Sequence, residues 1–491
     1  MKLPIQRTYC DYKDSGVQWL GKVPEHWEIL RLKRCALLNP SKKETLRSIL
    51  ADTPVTFLPM ECIGTEGTVD MRQSRPASEV WNGFTYFQRS DVLLAKITPC
   101  FENGKGALLK SLPSEIGFGS TEFHILRAKA SILPSYLYRI TTVVEFRRCG
   151  ADAMTGAAGQ QRVPQEFIAN YLIALPPHSE QLAIVRFLDH MDRRIRRYIR
   201  TKQRLIKLLE EYKQVIIHRA VTRGLDPTVP LKPSGVDWLG EVPEHWEVMP
   251  LRRVTITRCD GPFGSGLKSS HYTDQGIRVV RLQNIGYAEF KNHDSAFISP
   301  LHYASLGDHT VEPGDLLIAG LGDESRPAGR ACVAPSCIVP AMVKADCFRF
   351  RLFQQRLDPE FAALQLTATA SNSSSFLSTG ATRQRMNLQV TASRLIALPP
   401  LHEQIEIVKF IIDHTSPLCL AVSGIDKEIT LLREYRTRLI SDVVTGKLDV
   451  RGIELPADED AEVPTEFSEH LDDDIAPDDC EIPEEISAEA D

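Results

Sequence analysis

Lys96, Thr98, Glu102, Asn103 and Lys105 fall within ten residues of one another, in and beside the loop-like run TPCFENGKG (98–106). Gln160, Gln161 and Arg162 cluster in a second run of this kind, TGAAGQQRV (155–163). Further on, Ser265, Lys268, Ser269 and Tyr272 precede Arg281, Gln283 and Asn284, then Asp323, Arg326 and Arg330, and last Arg383, Gln384 and Arg385. Arg and Lys suit guanine edges or phosphates, Asn and Gln suit adenine, and Glu or Asp can accept from cytosine. Polar residues in loops are also what any exposed surface offers, so the set carries this reading and no single member does. Signatures of catalysis are missing where they would be easiest to see. The Gly-Lys pairs at 21–22, 104–105 and 446–447 are not followed by Ser or Thr, which excludes a P-loop. There is no G-x-S-x-G and no H-E-x-x-H, and Gly264-Ser265-Gly266 lacks the third glycine of a dinucleotide fingerprint.

These residues lie between short runs that read as strands. PVTFLPM (54–60), DVLLAKI (91–97) and EFHILRA (122–128) are rich in β-branched or aromatic residues and bounded by Gly, Pro or Ser. GIRVVRL (276–282), DLLIAGL (315–321) and DCFRFRL (346–352) are their counterparts in the second half. The halves are in fact copies. SGVQWLGKVPEHWE (15–28) and SGVDWLGEVPEHWE (234–247) agree at twelve of fourteen positions. LIALPPHSEQLAIVRF (172–187) pairs with LIALPPLHEQIEIVKF (395–410), and LLEEYK…AVTRGLD (208–226) with LLREYR…VVTGKLD (431–449). The repeat of about 220 residues is a duplicated domain with a helix, too long for a solenoid unit. The scaffold repeats while the loops differ, as expected of two recognition domains with different targets. Trp19 and Trp27 are expected to be apolar anchors of a structural clasp.

The stretch 178–220 reads as one helix. Ile184, Leu188, Met191, Ile195, Tyr198, Leu205, Leu209, Tyr212 and Ile216 step by four and three, a heptad seam with Lys202 as its polar interruption. The copy at 402–444 keeps the seam at Ile407, Ile411, Leu418, Ile425, Leu432, Tyr435 and Leu439, but Pro417 is expected to break or kink it near Thr415–Ser416. Each helix is the obvious partner of the other, as an antiparallel pair with the β-rich domains at opposite ends. Arg193, Arg194, Arg196, Arg197, Arg200, Lys202 and Arg204 form a basic run, read as a solvated face or as ion pairs with the opposing helix through residues such as Glu428 and Glu434, and alternatively as phosphate contacts.

The net charge of −6 conceals two parts. Residues 452–491 hold seventeen Asp and Glu and no Lys or Arg, so the remainder carries about +11, which suggests a polyanionic partner. The eleven cysteines form no C-x-x-C pair, which favours reduced thiols in a cytoplasm and no zinc site. No apolar run is long enough for a membrane span, and MKLPIQRTYC is not a signal peptide. The expected organisation is a first β-rich domain with its arm (1–175), a central helix and linker (176–228), a second β-rich domain (229–398), a distal helix (399–455) and a disordered acidic tail (456–491).

The tandem layout, the SGVxWLGxVPEHWE arms, the LPPxxEQxxIVxF helix starts and the helix ends resemble the DNA-specificity subunit of a type I restriction–modification enzyme. The likeness covers nearly all of 1–451, and DVLLAKITPCFENGKGA (91–107), GFGSTEFHILR (117–127), GAAGQQRVP (156–164) and GPFGSGLKSSHYTDQGIRVVRLQNIG (261–286) match recognition-domain patterns. It implies an α+β, pseudo-twofold fold. Two target-recognition domains would each read half of a split, asymmetric site in double-stranded DNA, and an antiparallel coiled coil would measure the spacer. It implies no catalysis by this chain; two methyltransferase subunits binding S-adenosylmethionine and restriction/translocase subunits using ATP and Mg would assemble on it. Pro417 and the acidic tail depart from the family pattern. A standalone DNA-binding regulator and a coiled-coil scaffold remain alternatives on the residues alone.

Overall fold

The computed structural model describes residues 7–42, 50, 52–157, 159–263, 266–307, 309–323, 325–377 and 384–455; the acidic tail lies outside them. The chain divides into two compact units, one of residues 1–196 with 433–491 and one of residues 197–432.

Both units are built to one plan. In the first, the hairpin Tyr12–Asp14 with Lys22–Pro24 leads to strand Glu28–Arg31, which pairs antiparallel with Leu172–Leu175. Between those strands lie two four-stranded sheets. One is antiparallel, in the order Ala36–Leu38, Phe123–Ala128, Val92–Ala95, Gly106–Leu108. The other contains the parallel pair Pro54–Leu58 and Ile116–Gly119. In the second unit, Leu231–Pro233 pairs with Glu241–Pro243 and Glu247–Pro250 with Leu395–Leu398. The antiparallel sheet runs Thr255–Cys259, Cys347–Leu352, Leu316–Ala319, Ala331–Val333, and a five-stranded sheet holds the parallel pair Ile277–Val280 and Ala341–Val343. Val92–Ala95 and Leu316–Ala319 are apolar and buried throughout because both faces are covered. Their charged ends are tied alike: Arg127 forks onto Asp91 at 2.8 and 2.7 Å, and Arg351 onto Asp315 at 3.0 and 3.0 Å.

The duplicated fourteen-residue stretch is a clamp on the start of a helix. Trp27 is fully buried and donates Nε1–H to Glu180 Oε2 at 3.0 Å, while His26 Nε2 lies 2.7 Å from Glu180 Oε1. Trp246 and His245 do the same to Glu403, at 3.0 and 2.9 Å. Each glutamate stands in the first turn of a long helix, where the helix dipole favours negative charge. The next residue is a buried glutamine that staples two chain segments. Gln181 accepts from Leu133 N at 2.8 Å and donates to Pro176 O at 2.9 Å; Gln404 accepts from Asp358 N and donates to Pro399 O, both at 2.8 Å. The repeated tryptophans are thus structural, as their placement in the repeat suggests.

The long helices are His178–Arg223 and Leu401–Val444. Within the first unit they run antiparallel: Glu180 meets Arg451, just past the end of the second helix, at 3.4 Å, and Asp192 meets Arg436 twelve residues further along the first helix. Within the second unit Lys202 pairs with Glu428, and the helix-end Gly224 lies beside Glu403. Gly446 and Gly224 both have positive φ, +76° and +72°, and a Cβ would come within 3.1 Å of Trp27 at the former and 3.3 Å of Trp246 at the latter.

Two expectations about the helices are corrected. The second helix runs unbroken through Pro417. Proline removes one i→i−4 hydrogen bond, at a cost of about 3 kcal/mol, which a long helix anchored at both ends absorbs. Pro417 is also exposed, so its ring displaces no packed neighbour. The heptad seam, too, is only partly closed. Ile184, Leu188, Met191 and Ile195 are buried, but Tyr198, Leu205 and Tyr212 are 40–57% exposed. Ile184, Leu188 and Met191 belong to the first unit's core, whereas Tyr198, Leu205 and Tyr212 lie among the exposed large apolar residues.

Candidate nucleic-acid interface

In the first unit the loop residues gather where strand Val92–Ala95 runs out. Lys96 N donates to Glu122 O at 2.9 Å, Val163 N to Lys96 O at 2.9 Å, and Thr98 N to Gln161 O at 3.0 Å. Lys96, Thr98, Gln160, Gln161 and Arg162 therefore share one rim. Arg162 forks onto the Glu122 carboxylate at 2.9 Å through both Nε and NH2, and donates NH1–H to Gln160 O at 3.1 Å. The guanidinium beside it holds the Glu122 carboxyl below the usual range. Glu102 joins this rim by accepting from Thr98 Oγ1 at 3.3 Å. Asn103 is exposed in the turn that follows, and Lys105 directs its ammonium to Met60 O at 3.5 Å.

The second unit repeats the backbone frame with other side chains. Gly320 N donates to Asp346 O at 2.7 Å and Met386 N to Gly320 O at 2.8 Å, while Gln384 and Arg385 pair with Gly322 and Leu321. Arg385 reaches Asp346 Oδ1 from Nε and NH2 at 3.2 and 3.0 Å. Asp323 accepts from Arg326 N and Ser325 Oγ, both at 2.7 Å, and these bonds lower its pKa; the Arg326 side chain is exposed. Arg281 and Gln283 both turn onto the Asp294 carboxylate. Lys268 and Ser269 are exposed in a separate loop, and Tyr272 is half-buried with the Lys344 ammonium 6.0 Å from its ring centre. Ser265 and Arg383 lie outside the described residues.

Two candidates prove to be internal. Asn284 is 0% exposed; its Oδ1 accepts from Arg281 N at 2.9 Å and its Nδ2 donates to Lys291 O and His293 O, both at 3.0 Å. Arg330 is 4% exposed and donates to Ile285 O, Leu282 O and Leu321 O at 2.9–3.1 Å. Both are corrected from contact residues to staples that hold 281–285 in place, Arg330 tying that segment to the strand ending at 322. A polar side chain without a mate in sequence finds carbonyls in the fold, which loop composition cannot display.

No family model matches the chain. Among curated proteins, the type I restriction enzyme EcoEI specificity subunit of Escherichia coli is 26% identical over 474 residues, spanning 80% of this chain and 78% of that one. The putative type I restriction enzyme MjaX specificity subunit of Methanocaldococcus jannaschii is 24% identical over 444 residues, spanning 88% and 96%. The EcoAI specificity subunit of E. coli reaches 36% over 174 residues, 35% of this chain and 29% of that one. In fold, the chain matches one from a structure of type I restriction–modification complex assembly with a TM-score of 0.68 at 18% identity, covering 87% of this chain and 99% of the other. The HsdS subunit of Thermoanaerobacter tengcongensis gives 0.50 at 18% identity, covering 87% and 98%. The chain is thus similar along most of its length to proteins named as type I restriction enzyme specificity subunits.

The acids at the rim are the residues that sequence reasoning missed. Glu122 and Asp346 open equivalent strands in the two copies, so the repeat itself carried the signal. Asp294, which gathers Arg281 and Gln283, had no such counterpart. Among the described residues no group of three His, Cys, Asp or Glu is placed to hold a metal ion, and no helix is long and apolar enough to cross a membrane.

Asp260 lies behind the second rim, accepting from Gly261 N at 2.7 Å and Asp346 N at 2.9 Å. Burial, with Asp346 nearby, raises its pKa from 3.8 to about 6. A carboxyl whose folded pKa is raised contributes stability that is complete below 3.8 and lost as pH rises through about 6. Asp260→Asn should therefore melt higher than the wild type at pH 7, with the difference closing toward pH 4. Parallel melting curves between those pH values check this; a constant difference would contradict it.

Proposed function

We propose that this chain is the DNA-recognition subunit of a type I restriction–modification complex. Two target-recognition domains each read one half of a bipartite, asymmetric site in double-stranded DNA. The observation that carries this reading is a repeated frame with unlike loops. The same strand ends and hydrogen bonds occur in both units, yet Lys96 and Thr98 in one are replaced by Gly320 and Gly322 in the other. Unlike loops on like frames predict half-sites that differ, so the target is not a palindrome. The long helices are the scaffold for two methyltransferase subunits and for restriction/translocase subunits. Chemistry belongs to those partners: S-adenosylmethionine, ATP and Mg act on them, in the cytoplasm, and the bases to be methylated are flipped into the methyltransferases.

The contact set on this reading is Lys96, Thr98, Glu102 and Gln160–Arg162 in the first unit, with Asn103 and Lys105 beside them. In the second it is Lys268, Ser269, Tyr272, Arg281, Gln283, Asp323, Arg326, Gln384 and Arg385, with Ser265 and Arg383 retained from sequence. The test is a genome-wide map of methylated adenines in cells carrying this gene and its methyltransferase, with and without this chain. A split, asymmetric motif that vanishes on deletion is expected. An unchanged map, with the complex expressed, would leave the chain without this role.

A further inference from the structure

The loops of the two units differ nearly everywhere except at one point. Each recognition domain ends in a Gln-Arg pair, Gln161-Arg162 and Gln384-Arg385, bridged to the same strand end, at Ile97 and at Leu321. In each, the arginine is forked onto an acid that opens the neighbouring strand, Glu122 or Asp346. The arginines are nonetheless 44% and 53% exposed. The residues around them have changed: Lys96 corresponds to Gly320, and Thr98 to Gly322.

A side chain held identically in two readers cannot be what makes them read different sequences. Whatever it touches must be present in both half-sites, and the phosphodiester backbone is the DNA feature common to all sequences. The fork geometry agrees. A guanidinium has five N–H donors, and the acid engages Nε and NH2, leaving part of the planar group at the surface. An arginine fixed in this way is held in one orientation before DNA arrives, which reduces the rotamer entropy lost on contact. Resting on the recognition reading above, we infer that Arg162 and Arg385 are a shared phosphate grip, one per half-site, with Glu122 and Asp346 as their positioning residues. They set affinity and register and not the base sequence.

The experiment uses the complete complex with its methyltransferase subunits. Binding to a duplex carrying the mapped motif, and to one lacking it, is measured across a salt series for Arg162→Ala, Arg162→Lys and Glu122→Gln. Arg162→Ala should weaken both duplexes by a similar factor, roughly three- to tenfold, and lower the salt slope by about one. Arg162→Lys should keep most of the affinity, because a point charge still meets a phosphate. Glu122→Gln, which loosens the fork that orients Arg162, should weaken binding to both duplexes by a smaller factor than Arg162→Ala. The methylated motif should be unchanged in all three. A motif that loses definition at one base pair would overturn the grip in favour of base reading. Unchanged affinity and slope in Arg162→Ala, with a lower melting temperature, would reduce the pair to a structural tie. A wild-type complex that does not prefer its mapped motif would overturn the recognition reading itself, and the grip with it.

Discussion

On the proposed function, exchanging residues 32–171 for the equivalent segment of a type I specificity subunit should replace one half of the methylated motif and leave the other half intact. The joints favour the exchange. Arg31 is the register partner of Leu172, and Leu32 N donates to Tyr171 O at 2.9 Å, so the segment leaves and re-enters the frame at adjacent points. The second unit has the same neck, with Pro250 opposite Leu395 and Leu251 N donating to Arg394 O at 3.0 Å. A segment whose ends are already side by side can be replaced without moving the frame. The guest must keep the contacts that tie the segment to the frame, among them the Leu133 N–Gln181 bond at 2.8 Å and the pairs of Glu66 with Arg196 and Arg436. Tyr136 donates to Ala174 O at 3.3 Å and Val444 O at 3.2 Å, Arg139 pairs with Asp189, and Tyr171 stacks on Trp19 at 4.9 Å. Sequencing of methylated adenines from cells carrying the exchanged gene reads the outcome directly. A change in both halves would show that the domains do not read independently.

How much of this could be seen in the sequence depends on the kind of order involved. Duplication exposed the frame, because a clamp built twice from Pro-Glu-His-Trp and Leu-Pro-Pro-x-x-Glu-Gln leaves the same residues at the same offset. Strands such as 91–97 and 315–321 declared themselves by composition, since both faces are buried. What the sequence could not show was the destination of individual polar side chains. Arg281 and Arg330 look alike in a loop. One lies half-buried at the surface on Asp294, and the other is internal on five carbonyls. The heptad seam misled in a related way. Spacing reports which residues face a partner, but burial also needs the flanks covered, and near Leu205 they are not. Pro417 was read from local chemistry alone, whereas a long helix fixed at both ends tolerates one missing hydrogen bond.

The clamp itself makes the second large prediction. Trp27→Ala should destabilise the first unit by roughly 3–5 kcal/mol, the usual cost of removing a fully buried tryptophan. The loss should be local. Trp27 joins the arm to the start of the first helix through Glu180 and to the end of the second through Gly446, so three chain segments loosen together. Hydrogen exchange should rise in peptides covering 8–14 and 440–453, and not in those covering 231–250, which the Trp246–Glu403 clamp holds. Glu180→Gln separates packing from charge. It keeps an acceptor for the Trp27 indole but removes the carboxylate that His26 and Arg451 share, at 2.7 and 3.4 Å. It should therefore loosen 447–453 more than the arm. Equal protection of both segments in wild type and Trp27→Ala would mean that the repeated motif is held by its backbone pairing alone. In that case the identity of twelve positions across two copies would need a cause other than the clamp, since backbone pairing constrains side chains far less tightly.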